Sequence, residues 1–164
     1  MNKKKILIII ISFIFLALIL YLFQFFKTSV TETEEAKKIE ALVNRAVALV
    51  ENKGEEAFVE FRKKNSEWFN DKTYVFVYTL DGKVVVYPIK PAFEGRNALD
   101  MEYYSNAKNI AQKIIKKAQG EGSGWIDYRW IKPGSPGPVR KISYVKKIEV
   151  GEKVFVVGAG IYLN

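Results

Sequence analysis

The spacing of hydrophobic positions changes several times along the chain, and each change marks an element. The first stretch has no spacing: Ile6 to Phe26 is a continuous apolar run whose polar members are Ser12, Tyr21 and Gln24. At ~1.5 Å per residue, a helix of this length spans ~31 Å, the thickness of a bilayer's hydrocarbon core. A cleaved signal peptide has a shorter apolar region and small residues at its cleavage site, and Gln24-Phe25-Phe26-Lys27 offers none. Lys3, Lys4 and Lys5 precede the run, whereas Lys27 is followed by Glu32, Glu34 and Glu35. The positive-inside rule thus predicts a cytoplasmic tail at 1–5, a transmembrane helix at 6–26 and an exported region at 27–164.

From Thr31 to about Asn52 the apolar residues recur at steps of three and four: Ile39, Leu42, Val43, Ala46, Val47 and Val50. This is one stripe of an amphipathic helix, a stalk over 27–54 that Asn52-Lys53-Gly54 brings to a stop. The domain's own sheet is the expected partner of that stripe, and a second copy of the chain, a homodimer through the stalk, is the alternative. A shorter helix carrying Ala57, Phe58 and Phe61 follows. The period then falls to two. Thr73–Leu80 and Lys83–Tyr87 read as strands joined by Asp81-Gly82, a hairpin signal in which both turn residues are expected at positive φ. After a loop, Asp100 is expected to cap a helix with Tyr104, Ala107, Ile110, Ala111, Ile114, Ile115 and Ala118 on one face. Strands at Trp125–Trp130, Arg140–Val150 and Lys153–Tyr162 complete the chain, the last two paired across Gly151-Glu152. Hairpin-linked strands with the helices segregated from them describe an α+β domain over 55–164, built on a five-stranded antiparallel sheet.

Composition narrows the chemistry. Apolar residues make up 49% of the chain, enough for a packed core. The net charge is +8, four of it from Lys3, Lys4, Lys5 and Lys27 beside the apolar run. The excess left on the domain suits an anionic ligand or membrane surface and is too small for nucleic-acid binding. There is no Cys and no His. Disulfides, thiol or histidine catalysis and the usual zinc sites are therefore ruled out. No phosphate-binding glycine loop and no calcium loop occurs, so neither a metal, a cofactor nor catalysis is expected.

Several short motifs, in this order and spacing, resemble the single Cache domains, PAS-like extracytoplasmic sensor modules of chemoreceptors and sensor kinases. They are Tyr74-Val75-Phe76-Val77-Tyr78, Leu80-Asp81-Gly82, Tyr87-Pro88 and Gly95-Arg96-Asn97. Gly122 to Trp130 with Pro133, Lys141-Ile142-Ser143-Tyr144-Val145-Lys146 and Gly158 to Tyr162 complete the set. The resemblance implies strand order 2-1-5-4-3 and a long helix on one face of the sheet. On the other face it implies a pocket for a small metabolite, often a short carboxylate or amino acid, roofed by loops and the third helix. Where this chain has Tyr87, family members often carry His, which puts a ligand contact at that position in question.

The candidate ligand-binding residues are Tyr78, Arg96, Trp125, Tyr128, Trp130, Lys141 and Tyr144. Tyr and Trp give an apolar wall with hydrogen-bond donors, the usual make-up of a small-ligand site. Tyr128 and Trp130 share a strand face, as do Tyr74, Phe76 and Tyr78. Lys141 is the first choice for a ligand carboxylate, with Arg96 and Arg129 in reserve. Lys141 and Tyr144 have opposite parity, so on a regular strand both cannot face the pocket, and Trp125 has opposite parity to Tyr128. Asp127 is expected either to pair with Arg129 or to receive a ligand ammonium group. The chain thus reads as a membrane-anchored sensing module for a short carboxylate or amino acid, signalling through a receptor, kinase or transporter. The alternative is an accessory or structural envelope protein whose pocket is filled by its own aromatics.

Overall fold

The computed structural model describes residues 15, 17, 30–101 and 106–163. The expected tail at 1–5, the expected span at 6–26 apart from Phe15 and Ala17, and Tyr104 lie outside them. Among the described residues no helix is long and apolar enough to cross a membrane. Glu34–Asn164 forms one compact unit and Met1–Thr33 another.

The amphipathic stripe forms α1, Glu34–Lys53, with Glu34 and Glu35 in its first turn and Lys53 in its last, as the helix dipole favours. The expected second, shorter helix follows as a 3-10 helix, Gly54–Arg62, and it buries Ala57, Phe58 and Phe61. The strands are β1 (Val75–Thr79), β2 (Val84–Val86), β3 (Ser123–Ile131), β4 (Pro138–Val150) and β5 (Lys153–Tyr162). They form one sheet in the order β2-β1-β5-β4-β3, with every neighbouring pair antiparallel. Both the order and the pairing across Gly151-Glu152 agree with expectation. The sheet and its segregated helices make the domain α+β.

The β1–β2 connection differs in detail. Gly82 alone takes a positive φ, +93°, because Asn65 is the one non-glycine residue with φ > 0 among those described. The Gly82 N–H donates to the Thr79 carbonyl at 3.1 Å and Thr79 N–H to Lys83 at 2.9 Å. A three-residue loop with glycine in the left-handed position therefore replaces the tighter turn. A Cβ at Gly82 would also lie 2.6 Å from Asn97 Oδ1 and 2.7 Å from Leu99 Cγ, so space and backbone both require glycine.

The two faces of the sheet bury different sets. On one, α1 lays Ile39, Leu42, Val43, Ala46, Val47 and Val50 over Val75, Val77, Val86, Phe155 and Val157. The stripe is thus consumed by the domain's own sheet, and each fully buried side chain here stabilises by ~1.5–3 kcal/mol. The other face is covered by α2, Ala107–Glu121, and by the 3-10 turns Pro91–Phe93 and Ala98–Asp100. Asp100 closes the second turn and caps no α-helix, because α2 starts at Ala107 with Asn106 before it. The Asn97 side chain accepts from Leu99 N–H at 2.8 Å, an Asx-type turn that caps the short Ala98–Asp100 turn.

Candidate functional site

Register decides which side chains reach the α2 side of the sheet. β4 is regular, pairing Lys141 with Tyr128 on β3 and with Tyr162 on β5. Directly paired residues share a face, so Lys141, Ser143 and Val145 point the same way as Tyr128, Tyr162 and Gly160. On β1, Phe76 and Tyr78 do the same through Gly158 and Val156. Gly158 and Gly160 leave this face bare where bulk must fit: a Cβ on Gly158 would overlap the Phe76 ring. One on Gly160 would overlap Ser143 Oγ and come within 2.9 Å of Lys141 Cε.

The parity conflict between Lys141 and Tyr144 is settled without a bulge. Lys141 turns to the α2 side. Tyr144 turns to the α1 side, where it meets Trp125 edge-on at 5.4 Å and packs against the α1 core. Trp125 and Tyr144 are therefore not pocket residues, because both stand on the strand face that α1 covers. Arg96 is also apart from the inner cavity. Its backbone carbonyl accepts from Val84 N–H at 2.8 Å, while its side chain is exposed on an open groove with Lys90 and Asp100. Asp127 pairs with Arg140 at 2.6 Å across the strands instead of with Arg129, which donates to the Pro138 carbonyl.

Tyr78, Tyr128 and Trp130 do line the cavity, together with Tyr74, Phe76, Tyr87 and residues of α2. Its volume is about 20 Å³, room for one water, so the rings of the domain itself occupy most of the hollow. Polar atoms tie these rings together. Trp130 Nε1–H donates to the Tyr87 hydroxyl at 2.6 Å, the Tyr87 and Tyr74 hydroxyls meet at 3.2 Å, and Tyr128 meets Ser143 at 2.9 Å. Outside the Tyr87–Trp130 pair lies a second hollow of about 200 Å³, with Ile89, Lys90 and Pro133 on its walls. Tyr87, Phe93 and Trp130 form the partition between the two spaces.

Lys141 lies under this layer. It is 0% exposed, and among the described residues no group accepts a hydrogen bond from its Nζ. The Nζ sits 4.0 Å from the Tyr74 ring centroid and 4.8 Å from that of Tyr162. Ring quadrupoles attract a cation weakly, by ~0.5–2 kcal/mol, well short of replacing its water shell. Burial accordingly pulls the amine from its usual 10.5 down to about 7. The same burial pushes the Tyr74, Tyr78, Tyr87 and Tyr128 phenols upward, so their O–H groups stay protonated. Tyr74, Tyr87 and Tyr162 were not among the sequence candidates. Tyr74 shares its parity with Tyr78, a signal present in the pattern, whereas Tyr162 joins only through the β4–β5 register.

A Cache-domain family model matches residues 22–164. The sensor histidine kinase MctS of Rhizobium johnstonii is 35% identical over 91 residues, which are 56% of this chain and 19% of the kinase. The chain therefore spans about a fifth of that relative's length. Among solved structures, a periplasmic sensor domain of a chemotaxis protein superposes with a TM-score of 0.68 at 29% identity. The match covers 83% of this chain and all of that one. A Cache chemosensory domain that recognises carboxylic acids shares the fold, with a TM-score of 0.63 at 21% identity over 79% of this chain and 94% of that one. By family model and fold alike, the chain belongs to the Cache-domain family of signal-transduction sensors.

Proposed function

We propose that this chain is an extracytoplasmic sensing module that binds a short organic carboxylate through Lys141. One observation carries the reading: a buried amine on the α2 face with no acceptor among the described residues. Burying a polar group unsatisfied costs a few kcal/mol, and a bound carboxylate would offset that cost with a charge-assisted hydrogen bond. The protonated phenols of Tyr74, Tyr78 and Tyr128 supply further donors around the same space. The related Cache structure that recognises carboxylic acids supports this chemistry by analogy of fold.

Ligand reaches Lys141 only if the aromatic layer parts, since the inner cavity holds one water. The Tyr87–Trp130 partition, with the larger hollow outside it, is the natural place for that opening. A shift of strands and loops on binding would move α1, which covers the opposite face of the same sheet. In this reading residues 1–5 are cytoplasmic, 6–26 span the membrane, 27–54 form the stalk and 55–164 the sensing domain. A receptor, kinase or transporter partner carries the signal onward. A second reading, an accessory protein that binds no ligand, is favoured by the small cavity volume alone. Thermal unfolding of the full chain in detergent separates the two. The sensor reading expects acetate, propionate or butyrate to raise the melting temperature, and no rise with any short carboxylate or amino acid leaves the accessory reading standing.

A further inference from the structure

Among the described residues, the ionisable side chains beside Lys141 are phenols. Tyr128 comes from β3, Tyr162 from β5 and Tyr74 from the residue before β1, while Tyr78 and Tyr87 lie further along the same face of the sheet. From α2 the covered face carries only Ala and Ile, while Lys108, Lys113 and Lys116 are exposed. Among the described residues the acids of the neighbourhood are engaged or remote, and Glu149, further along β4, pairs with Lys147. Asp127 holds Arg140 on the α1 side, Glu94 holds Arg62 and accepts the Tyr87 N–H, and Asp100 is exposed on the open groove. No described carboxylate faces the amine.

We propose that the domain captures its anion together with a proton, Lys141 accepting the proton, so that the pocket's net charge does not change on binding. This deepens the reading above, on which it rests. The proton comes from solvent and converts the neutral amine to an ammonium; the ligand stays a carboxylate and forms no covalent bond. Without the anion, an ammonium among phenols and aliphatic side chains has no counter-charge among the described residues, and burial holds the amine near 7. With the anion alongside, the charged form is favoured.

Two consequences follow from charge balance. Above about pH 7 each further unit makes capture ~10-fold weaker, because one proton must be taken up per anion. The preferred ligand also carries a single negative charge and nothing else. An amino acid zwitterion would bring an ammonium that meets no carboxylate, and a dicarboxylate would bring a second anion for one amine. The ligand class therefore narrows to short monocarboxylates.

Calorimetric titration of the full chain in detergent tests this, using acetate, propionate and butyrate in paired buffers of different ionisation enthalpy. At about pH 8 and 9 the proposal expects uptake of ~1 proton per anion and ~10-fold weaker binding at the higher pH. Binding with no proton uptake and the same affinity at both overturns the proposal and leaves carboxylate sensing intact. No heat from any of the three overturns both. Glycine or succinate binding as tightly as acetate also overturns it. Lys141→Met is expected to abolish uptake, and uptake that survives assigns the proton elsewhere. The ligand-free chain gives an independent check: its stability to urea should rise from about pH 7 toward 10, and a flat profile contradicts a buried amine of this kind.

Discussion

One sheet carries two buried faces of opposite character. Toward α1 it presents Val75, Val77, Val86, Phe155 and Val157, side chains with no polar atom to satisfy. Toward α2 it presents Tyr74, Tyr128 and Tyr162, bound into hydrogen-bond pairs, and Lys141, whose Nζ has none among the described residues. Both faces exclude water, yet only the first follows the cheapest way to do so. Aliphatic packing on the second face would cost no desolvation of hydroxyls or of an amine. The contrast teaches that the α1 face holds the domain together and that the α2 face gives up stability, which the proposed function explains as the cost of a binding site.

Cutting into the α1 face should have the largest effect. Phe61→Ala removes a fully buried ring that also meets Trp68 edge-on at 5.3 Å. A loss of ~3–5 kcal/mol is expected from urea unfolding, with whatever folded protein remains still able to bind anion.

On the α2 face the sign should reverse. Lys141→Met shortens the side chain by one heavy atom and removes its charge, and is expected to stabilise the ligand-free domain by ~1–4 kcal/mol near pH 6. The wild-type penalty is complete below about 7, where the folded amine must carry its charge. It is relieved as pH climbs toward 10.5, where the unfolded amine also loses its proton. The variant's advantage should therefore shrink steadily over that window. A variant less stable than wild type at pH 6 would break the comparison between the faces.

A smaller change sharpens the picture of the partition. Tyr87→Phe withdraws the oxygen that takes the Trp130 N–H at 2.6 Å and meets Tyr74 at 3.2 Å. A loss of ~1–2 kcal/mol is expected, together with faster anion association if this pair gates access, measured by stopped-flow fluorescence of the tryptophans. The smallest effect belongs outside both faces. Arg140→Ala breaks the exposed pair with Asp127 and should leave the urea midpoint unchanged.

Much of this arrangement was legible in the residue order. Apolar steps of three and four predicted α1 and its buried stripe, and alternation placed Tyr74, Phe76 and Tyr78 on one strand face. Glycine beside Asp81 predicted the hairpin, although the loop proved one residue longer. Short-range signals sufficed because each of these features depends on neighbours a few positions away. The start of α2 was misjudged, because Asp100 closes a 3-10 turn and the helix begins only at Ala107. Asn97, which caps that turn, also donates its side-chain amide to the Asp81 carbonyl 16 positions away, a contact that local spacing does not reveal.

The site shows where that legibility ended. Alternation stated that Lys141 and Tyr144 oppose each other, and likewise Trp125 and Tyr128, but not which of each pair meets α2. That choice is made by register: once β4 pairs Lys141 with Tyr128 and Tyr162, Trp125 and Tyr144 are committed to the α1 side. Likewise Tyr87 gained its role from a hydrogen bond to Trp130, 43 positions away. The order of residues thus determined the elements, their periods and the supply of rings and one lysine, because local sterics and apolar spacing act along the chain. Tertiary structure alone decided that the lysine is sealed, without a hydrogen-bond acceptor among the described residues, and beneath a cavity of one water's volume. Burial and free space are sums over side chains contributed by every element of the fold, and no local stretch contains them.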